Sequence, residues 1–169
     1  MSRSDAAAVE RYFALHEAIE QAVSTDDYRG AVTLAKEAVS LIPQLVRDTK
    51  RQFGAFDIVS SVAVERGGKL LAAMGDVHSL RGFHATLSAM PETHMWASAI
   101  EQYIEDAEIG ERILSRAREN PGILQTVIRD SLPPIPPEHV TELCYWLGRV
   151  GRLRREKKGG RSYALFVEA

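Results

Sequence analysis

The residues of this chain whose types and spacing best suit chemistry are the cations near its C-terminal end. Seven arginines and lysines lie between residues 149 and 161, against a single carboxylate, Glu156. They are Arg149, Arg152, Arg154, Arg155, Lys157, Lys158 and Arg161. Guanidinium and ammonium groups at this density attract phosphates and other anions, so the segment predicts a surface that meets a polyanion.

The histidines and the cysteine do not form a catalytic or metal-binding set. His78 and His84 share a predicted helix but are six residues apart, whereas side chains on one helix face are three or four apart. Cys144 falls beside Leu143 and Leu147 on an apolar helix face, which predicts a buried thiol. No phosphate-binding glycine motif occurs. We therefore expect no catalytic residues, no metal, no cofactor and no enzymatic activity.

Composition and charge are those of a soluble globular protein whose two ends differ. Of 169 residues, 45% are hydrophobic and 26% are charged. No apolar run approaches the roughly 18 residues of a membrane span, and no secretory signal is evident. The single cysteine fits a reducing compartment, so we expect a cytoplasmic protein. Residues 1–105 carry ten Lys/Arg against fourteen Asp/Glu, and residues 106–169 eleven against nine, which predicts two parts with different surfaces.

Apolar residues at helical spacing predict four helices in the N-terminal part. Their approximate ranges are 5–23, 28–47, 57–74 and 77–90. Residues 24–27 supply capping chemistry before the second helix, and Pro43 is expected to kink or shorten that helix. Gly67 and Gly68 interrupt the third helix, either to allow close helix packing or to mark a bend.

The second of these helices carries a recognisable pattern, Tyr28…Ala31…Leu34-Ala35…Glu37-Ala38. It resembles a tetratricopeptide-type helical hairpin, although the roughly 34-residue period of that family does not repeat along the chain. The aromatic residues Phe83, Trp96 and Tyr103 either belong to the core of the helical part or line an effector pocket.

A fifth, long helix is predicted from about residue 92 to residue 119, because no helix breaker precedes Asn120-Pro121-Gly122. Its apolar positions alternate at spacings of four and three residues in a heptad-like stripe. They are Trp96, Ile100, Tyr103, Ala107, Gly110, Leu114 and Ala117. The stripe either packs on the chain's own core or forms a dimerisation seam.

Shorter elements follow. Ile123, Leu124, Val127, Ile128 and Leu132 form one predicted helical stripe. After the proline-rich turn 133–137, a third helix of this part buries Val140, Leu143, Cys144, Leu147 and Val150 and stops at Gly151. A basic strand and an apolar strand, residues 163–167, are then joined by Gly159-Gly160 as a hairpin.

With three helices and a two-stranded hairpin, residues 106–167 resemble a winged helix–turn–helix domain. The resemblance is carried by the segments 120–125 and 151–155, by Val140…Leu143…Leu147, and by the segment 160–165. It implies that the third helix enters the DNA major groove and that the hairpin, the wing, contacts the DNA backbone. The solvent face of that helix is Glu138, Thr141, Glu142, Tyr145 and Arg149. Its glutamates repel phosphates unless they meet a cytosine amino group.

We therefore expect a mostly α protein with an N-terminal helical bundle (residues 1–91) for interaction, dimerisation or sensing. A connecting helix (92–119) joins it to a winged helix domain (106–169) with a two-stranded β wing. The expected function is duplex DNA binding in transcriptional regulation, as a homodimer. Thr141, Glu142, Tyr145 and Arg149 would face bases, and Arg152, Arg154, Arg155, Lys157, Lys158 and Arg161 would hold phosphates. The alternative is a non-enzymatic adaptor whose bundle and winged helix both bind partner proteins.

Overall fold

The chain folds into a series of helices with a small antiparallel sheet in its C-terminal part. The structure, a computed structural model, describes residues 3–48, 53–132, 134–160 and 162–168. The helices are α1 (Arg3–Ser24), α2 (Tyr28–Asp48), α3 (Phe53–Met74), α4 (Val77–Ser88), α5 (His94–Glu119), α6 (Gln125–Asp130) and α7 (Pro137–Arg149). The strands are β1 (Ile123–Leu124), β2 (Leu153–Gly159) and β3 (Ser162–Val167). The predicted fold class, a helical bundle and a long helix followed by a β wing, is confirmed.

Two compact units divide the chain. The first unit comprises Met1–Leu71 with Val77–Ile104, and the second unit comprises Ala72–Asp76 with Glu105–Ala169. The division therefore falls inside α5, whose helical turns continue through it. The end of α3 and the turn to α4 cluster with the second unit, although they lie far from it in sequence.

The turn between α1 and α2 uses the capping chemistry that the sequence predicts. Asp27 Oδ1 accepts a hydrogen bond of 2.9 Å from the Gly30 amide, which satisfies one of the free N–H groups at the start of α2. Asp26 adopts a left-handed backbone with φ 61°, a conformation that aspartate tolerates in tight turns. The helix then continues through Pro43 to Asp48, so the proline does not shorten it.

Gly67 and Gly68 lie within α3 and allow neighbouring helices to approach closely. A Cβ added to Gly67 would lie 2.6 Å from the Cβ of Ala35 on α2. A Cβ added to Gly68 would lie 2.2 Å from Cδ2 of Tyr103 on α5. Both distances are far shorter than van der Waals contact, so these glycines serve close packing inside the first unit.

The heptad-like stripe of α5 is buried within the chain except at Tyr103, which is partly exposed. Ile100, Leu114 and Ala117 are at most 1% exposed, and Trp96 is also buried. Phe83 is buried as well, which assigns Trp96 and Phe83 to the core. The stripe therefore packs on the chain itself, and its buried members are not available as a dimerisation seam.

The second unit encloses one core between the C-terminal half of α5, α6, α7 and the sheet. The buried members of that core are Ile113, Leu114, Ala117, Ile128, Leu132, Val140, Leu143, Cys144, Leu147, Leu153 and Leu165. The sheet order is β1-β3-β2, with both pairings antiparallel. Asp106 Oδ1 and His139 Nε2 lie 2.8 Å apart and connect α5 to the first turn of α7.

The predicted end of α7, the third helix of the C-terminal part, and the predicted hairpin turn are both confirmed. Gly151 follows α7 with φ 76°, and Gly159 and Gly160 join the strands with φ 120° and 53°. These left-handed conformations favour glycine because it has no Cβ.

The predicted helix over residues 123–132 is wrong at its start. Ile123 and Leu124 form β1, paired with Leu165 and Ala164 of β3, and α6 begins only at Gln125. The sheet consequently has three strands rather than the expected two. Two residues are too few to show a strand period, and their extended state depends on a partner strand far along the chain.

Candidate functional site

The exposed face of α7 contains every residue that the sequence placed there. Glu138, Thr141, Glu142, Tyr145 and Arg149 are all exposed. They alternate at helical spacing with the buried core side chains of α7, so core packing fixes which way this face points.

The C-terminal end of that face carries an aromatic ring and a cation in contact. Tyr145 is 43% exposed. Arg149 Nη1 donates a hydrogen bond of 3.2 Å to Tyr145 Oη, and its guanidinium carbon lies 5.7 Å from the ring centroid. This pair presents one positive charge beside one planar ring at the end of the helix.

The wing, defined as β2 and β3 with their turn, holds two of its arginines against aromatic rings. The Arg154 guanidinium lies 4.5 Å from the Phe166 ring centroid, and these two residues are directly opposite in the strand pairing. The Arg155 guanidinium lies 4.3 Å from the Tyr163 centroid, a diagonal neighbour on the other face. Stacking restricts the rotamers of both arginines and so fixes where their guanidinium groups lie.

Carboxylates partly neutralise the wing. Arg154 pairs with Glu156 through Nη1, and its Nε lies 3.1 Å from Glu168 Oε1. Lys158 Nζ lies 3.6 Å from the second oxygen of Glu156. These side chains are roughly half exposed, so each ion pair contributes little to stability. The net positive charge of the wing is smaller than its count of cations indicates.

Arg152 has partners inside the second unit rather than an open position. Its Nη2 lies 2.6 Å from Glu111 Oε1, and its Nη1 donates a 3.1 Å hydrogen bond to the Ala73 carbonyl. Its side chain is 29% exposed. Arg152 therefore holds the end of α3 against α5 and the start of the wing, and a phosphate would have to replace Glu111.

Arg155 also serves packing. Its Cδ lies 3.4 Å from the position of a Cβ on Gly148, so its aliphatic stem covers the last turn of α7. Its Nε is buried and has no hydrogen-bond partner among the described residues. Arg161, predicted as a phosphate ligand, lies outside the described residues.

The end of α7 and the base of the wing border one open cleft of about 690 Å³, which we call the α7–wing cleft. Its lining includes Tyr145, Gly148, Arg149, Gly151, Leu153, Arg154, Arg155 and Glu168. The structure thus brings together four of the predicted site residues, from α7 and from β2. Three of them are arginines, against one carboxylate, so the cleft suits an anionic ligand.

Four further predicted residues, all among those that the structure describes, are not in the lining of this cleft. Thr141 and Glu142 stand earlier on the exposed face of α7, and Lys157 and Lys158 are exposed toward the tip of the wing. Sequence reasoning missed Glu168, although its position just beyond β3 places it opposite the start of β2 in an antiparallel hairpin.

Cys144, His84 and His139 are held in structural contacts. Cys144 is fully buried, and burial raises the pKa of its thiol to about 12, with Arg155 acting in the opposite direction. His84 Nε2 lies 3.1 Å from Glu101, as His139 does from Asp106 at 2.8 Å. Across the residues that the structure describes, no group of three or more potential ligands is placed to hold a metal ion.

None of the described helices is both long and apolar enough to cross a membrane. Comparisons with known protein families, curated proteins and solved structures find no match to this chain.

Proposed function

We propose that this protein binds duplex DNA through its second unit, as a winged helix domain does, and that it acts in transcriptional regulation. The observation that carries the proposal is the α7–wing cleft, where an exposed helix face and a basic hairpin border one open volume. A helix supplies side chains to base edges, and a basic hairpin supplies cations to the adjoining phosphates.

The cations of this surface differ in what they offer to a phosphate. Four are assigned to phosphate contact: Arg149, Arg154, Lys157 and Lys158. Arg152 and Arg155 are assigned to supporting the wing, because Glu111 holds the first and the Tyr163 ring stacks on the second. Binding through four phosphates predicts strong salt dependence, since each contact releases condensed counterions.

The exposed face of α7, apart from Arg149 at its C-terminal end, is assigned to base edges. Thr141, Glu142 and Tyr145 can hydrogen-bond there, and a glutamate accepts from the amino group of cytosine. Glu138 and Glu142 also repel phosphates, which keeps the first turns of α7 away from the DNA backbone. Phosphate contacts from the wing therefore supply most of the affinity.

A homodimer on paired half-sites is part of the proposal, because two copies multiply affinity and fix register. Because the α5 stripe is buried, the dimer would form through another surface. Sedimentation of the full chain at micromolar concentration tests it, and a monomer both alone and on DNA would remove it. We place the protein in the reducing cytoplasm, where Cys144 stays a thiol.

A second candidate, a non-enzymatic adaptor, is favoured by one observation. Leu124, the last residue of β1, and Val127, in the first turn of α6, are 37% and 51% exposed. Exposed apolar side chains suit a protein partner better than they suit DNA. In this alternative both the helical bundle and the second unit bind proteins.

Titration of the full chain with a labelled duplex of about 20 base pairs separates the two candidates. The test variant is Arg149→Ala/Arg154→Ala, and the control, Arg29→Ala/Arg81→Ala, removes two exposed arginines of the first unit. We expect the cleft variant to bind roughly 60-fold more weakly at about 0.1 M salt, and the control to bind like the wild type. Absence of binding at low salt would exclude the DNA function and leave the adaptor.

A further inference from the structure

Arg154 is held by two carboxylates of its own wing. Its Nε lies 3.1 Å from Glu168 Oε1, and its Nη1 pairs with Glu156. The Phe166 ring lies against the same guanidinium, 4.5 Å from centroid to carbon. Even so, the Arg154 side chain remains 51% exposed at the border of the α7–wing cleft.

The strand pairing produces this arrangement. Arg154 and Phe166 are directly opposite in β2 and β3, and Glu156 follows Arg154 by two residues on the same face. Glu168 lies just past the end of β3, where its amide donates a 3.2 Å hydrogen bond to the Arg152 carbonyl. That bond fixes the backbone of Glu168 beside Arg154.

A carboxylate and a phosphate oxygen use the same donors of a guanidinium in the same fork geometry. We propose that Glu156 and Glu168 are built-in competitors for phosphate, which occupy Arg154 in the free protein and are displaced when a polyanion binds. This inference rests on the proposed function and adds the regulation of its phosphate site.

The competition favours polyanions over isolated anions. An exposed ion pair is weak, so a duplex that releases several counterions at once can replace both carboxylates. An isolated phosphate would form one contact with Arg154 at the cost of two ion pairs, so it does not displace Glu156 and Glu168. Glu156 and Glu168 thereby set the charge density that a ligand must have to bind Arg154 in their place.

The test measures binding of the full chain to the same labelled duplex after Glu168→Gln and after Glu156→Gln. Glutamine keeps the size of the side chain and removes its charge. Each variant is expected to bind on the order of two- to five-fold more tightly than the wild type, as the weakness of an exposed ion pair predicts. The control Glu17→Gln makes the same charge change at an exposed position of the first unit and is expected to leave affinity unchanged.

The same two substitutions are then made in the Arg154→Ala background, as a double-mutant cycle. If the carboxylates act by occupying Arg154, the gain from Glu168→Gln disappears there. The inference is overturned if Glu168→Gln leaves the affinity for DNA unchanged. It is also overturned if the gain in affinity persists in the Arg154→Ala background. Either outcome leaves the DNA function standing. Failure of every protein, including the Gln variants, to bind at low salt would instead overturn the DNA function itself.

Discussion

Replacing Lys157 and Lys158 together by alanine removes the two exposed lysines of the wing without touching the core. Both residues are exposed, and Lys158 Nζ lies 3.6 Å from Glu156 Oε2 in a partly exposed ion pair. The strands are held instead by Leu153 and Leu165, which are buried. The variant therefore tests phosphate contact separately from folding.

The size of the effect follows from the number of available cations. For duplex DNA, log K falls with log salt by about 0.9 per phosphate contact. Arg149, Arg154, Lys157 and Lys158 predict a slope of about −3.6 for the wild type, and the two remaining arginines predict about −1.8 for the variant. With about 1 M salt as the reference at which a phosphate contact adds nothing, each lost contact lowers K by about 0.9 of a decade at about 0.1 M salt, so the variant should bind roughly 60-fold more weakly.

Fluorescence anisotropy of a labelled duplex, measured from about 0.05 to about 0.3 M salt, gives both the affinity and the slope. The charge-matched control is Arg29→Ala/Arg81→Ala, whose two arginines are exposed in the first unit. A variant slope equal to that of the wild type would refute phosphate contact by the two lysines. A control that loses as much affinity as the wing variant would refute it equally.

The remaining predictions concern stability and the thiol. Gly68→Ala should lower the free energy of unfolding by about 1–3 kcal/mol, since its Cβ would overlap Tyr103 at 2.2 Å. Gly82→Ala, at an α4 position with no atom within 4 Å, should raise that free energy by about 0.5–1 kcal/mol; urea unfolding of both variants measures the contrast, and equal effects would contradict it. Because the pKa of Cys144 is raised to about 12 from 9.0, the native thiol should resist a chromogenic disulfide reagent that reacts after unfolding. The free energy of unfolding should fall as pH rises from 9.0 toward about 12, because only the unfolded thiol loses its proton there; rapid labelling of the native chain at about pH 8 would contradict the burial.

Most of the helices could be predicted because each is long enough to show its period. The α7 pattern is an example, since Val140, Leu143 and Leu147 recur at helical spacing and all three are buried. The end of α7 at Gly151 and the hairpin turn were equally predictable, because both need a positive φ that few residues other than glycine adopt. The strand β1 was not predictable, because two residues carry no period and their state depends on pairing with β3.

The candidate site was predictable in its residues and not in their partners. The exposed face of α7 follows from the apolar stripe on its other side. The pairing of Arg152 with Glu111 joins residues 41 positions apart, and no local pattern indicates it. The same holds for the role of Glu168, which depends on the register of the hairpin.

The sequence by itself determined the helices, the hairpin and the cluster of cations, because periodicity, turn chemistry and charge are local properties. Tertiary structure decided which cations remain open to a ligand, because ion pairs and stacking depend on contacts between elements. Lys157 and Lys158 remain exposed, whereas Arg152 forms an ion pair with Glu111. Arg154 lies between two carboxylates at the border of the α7–wing cleft.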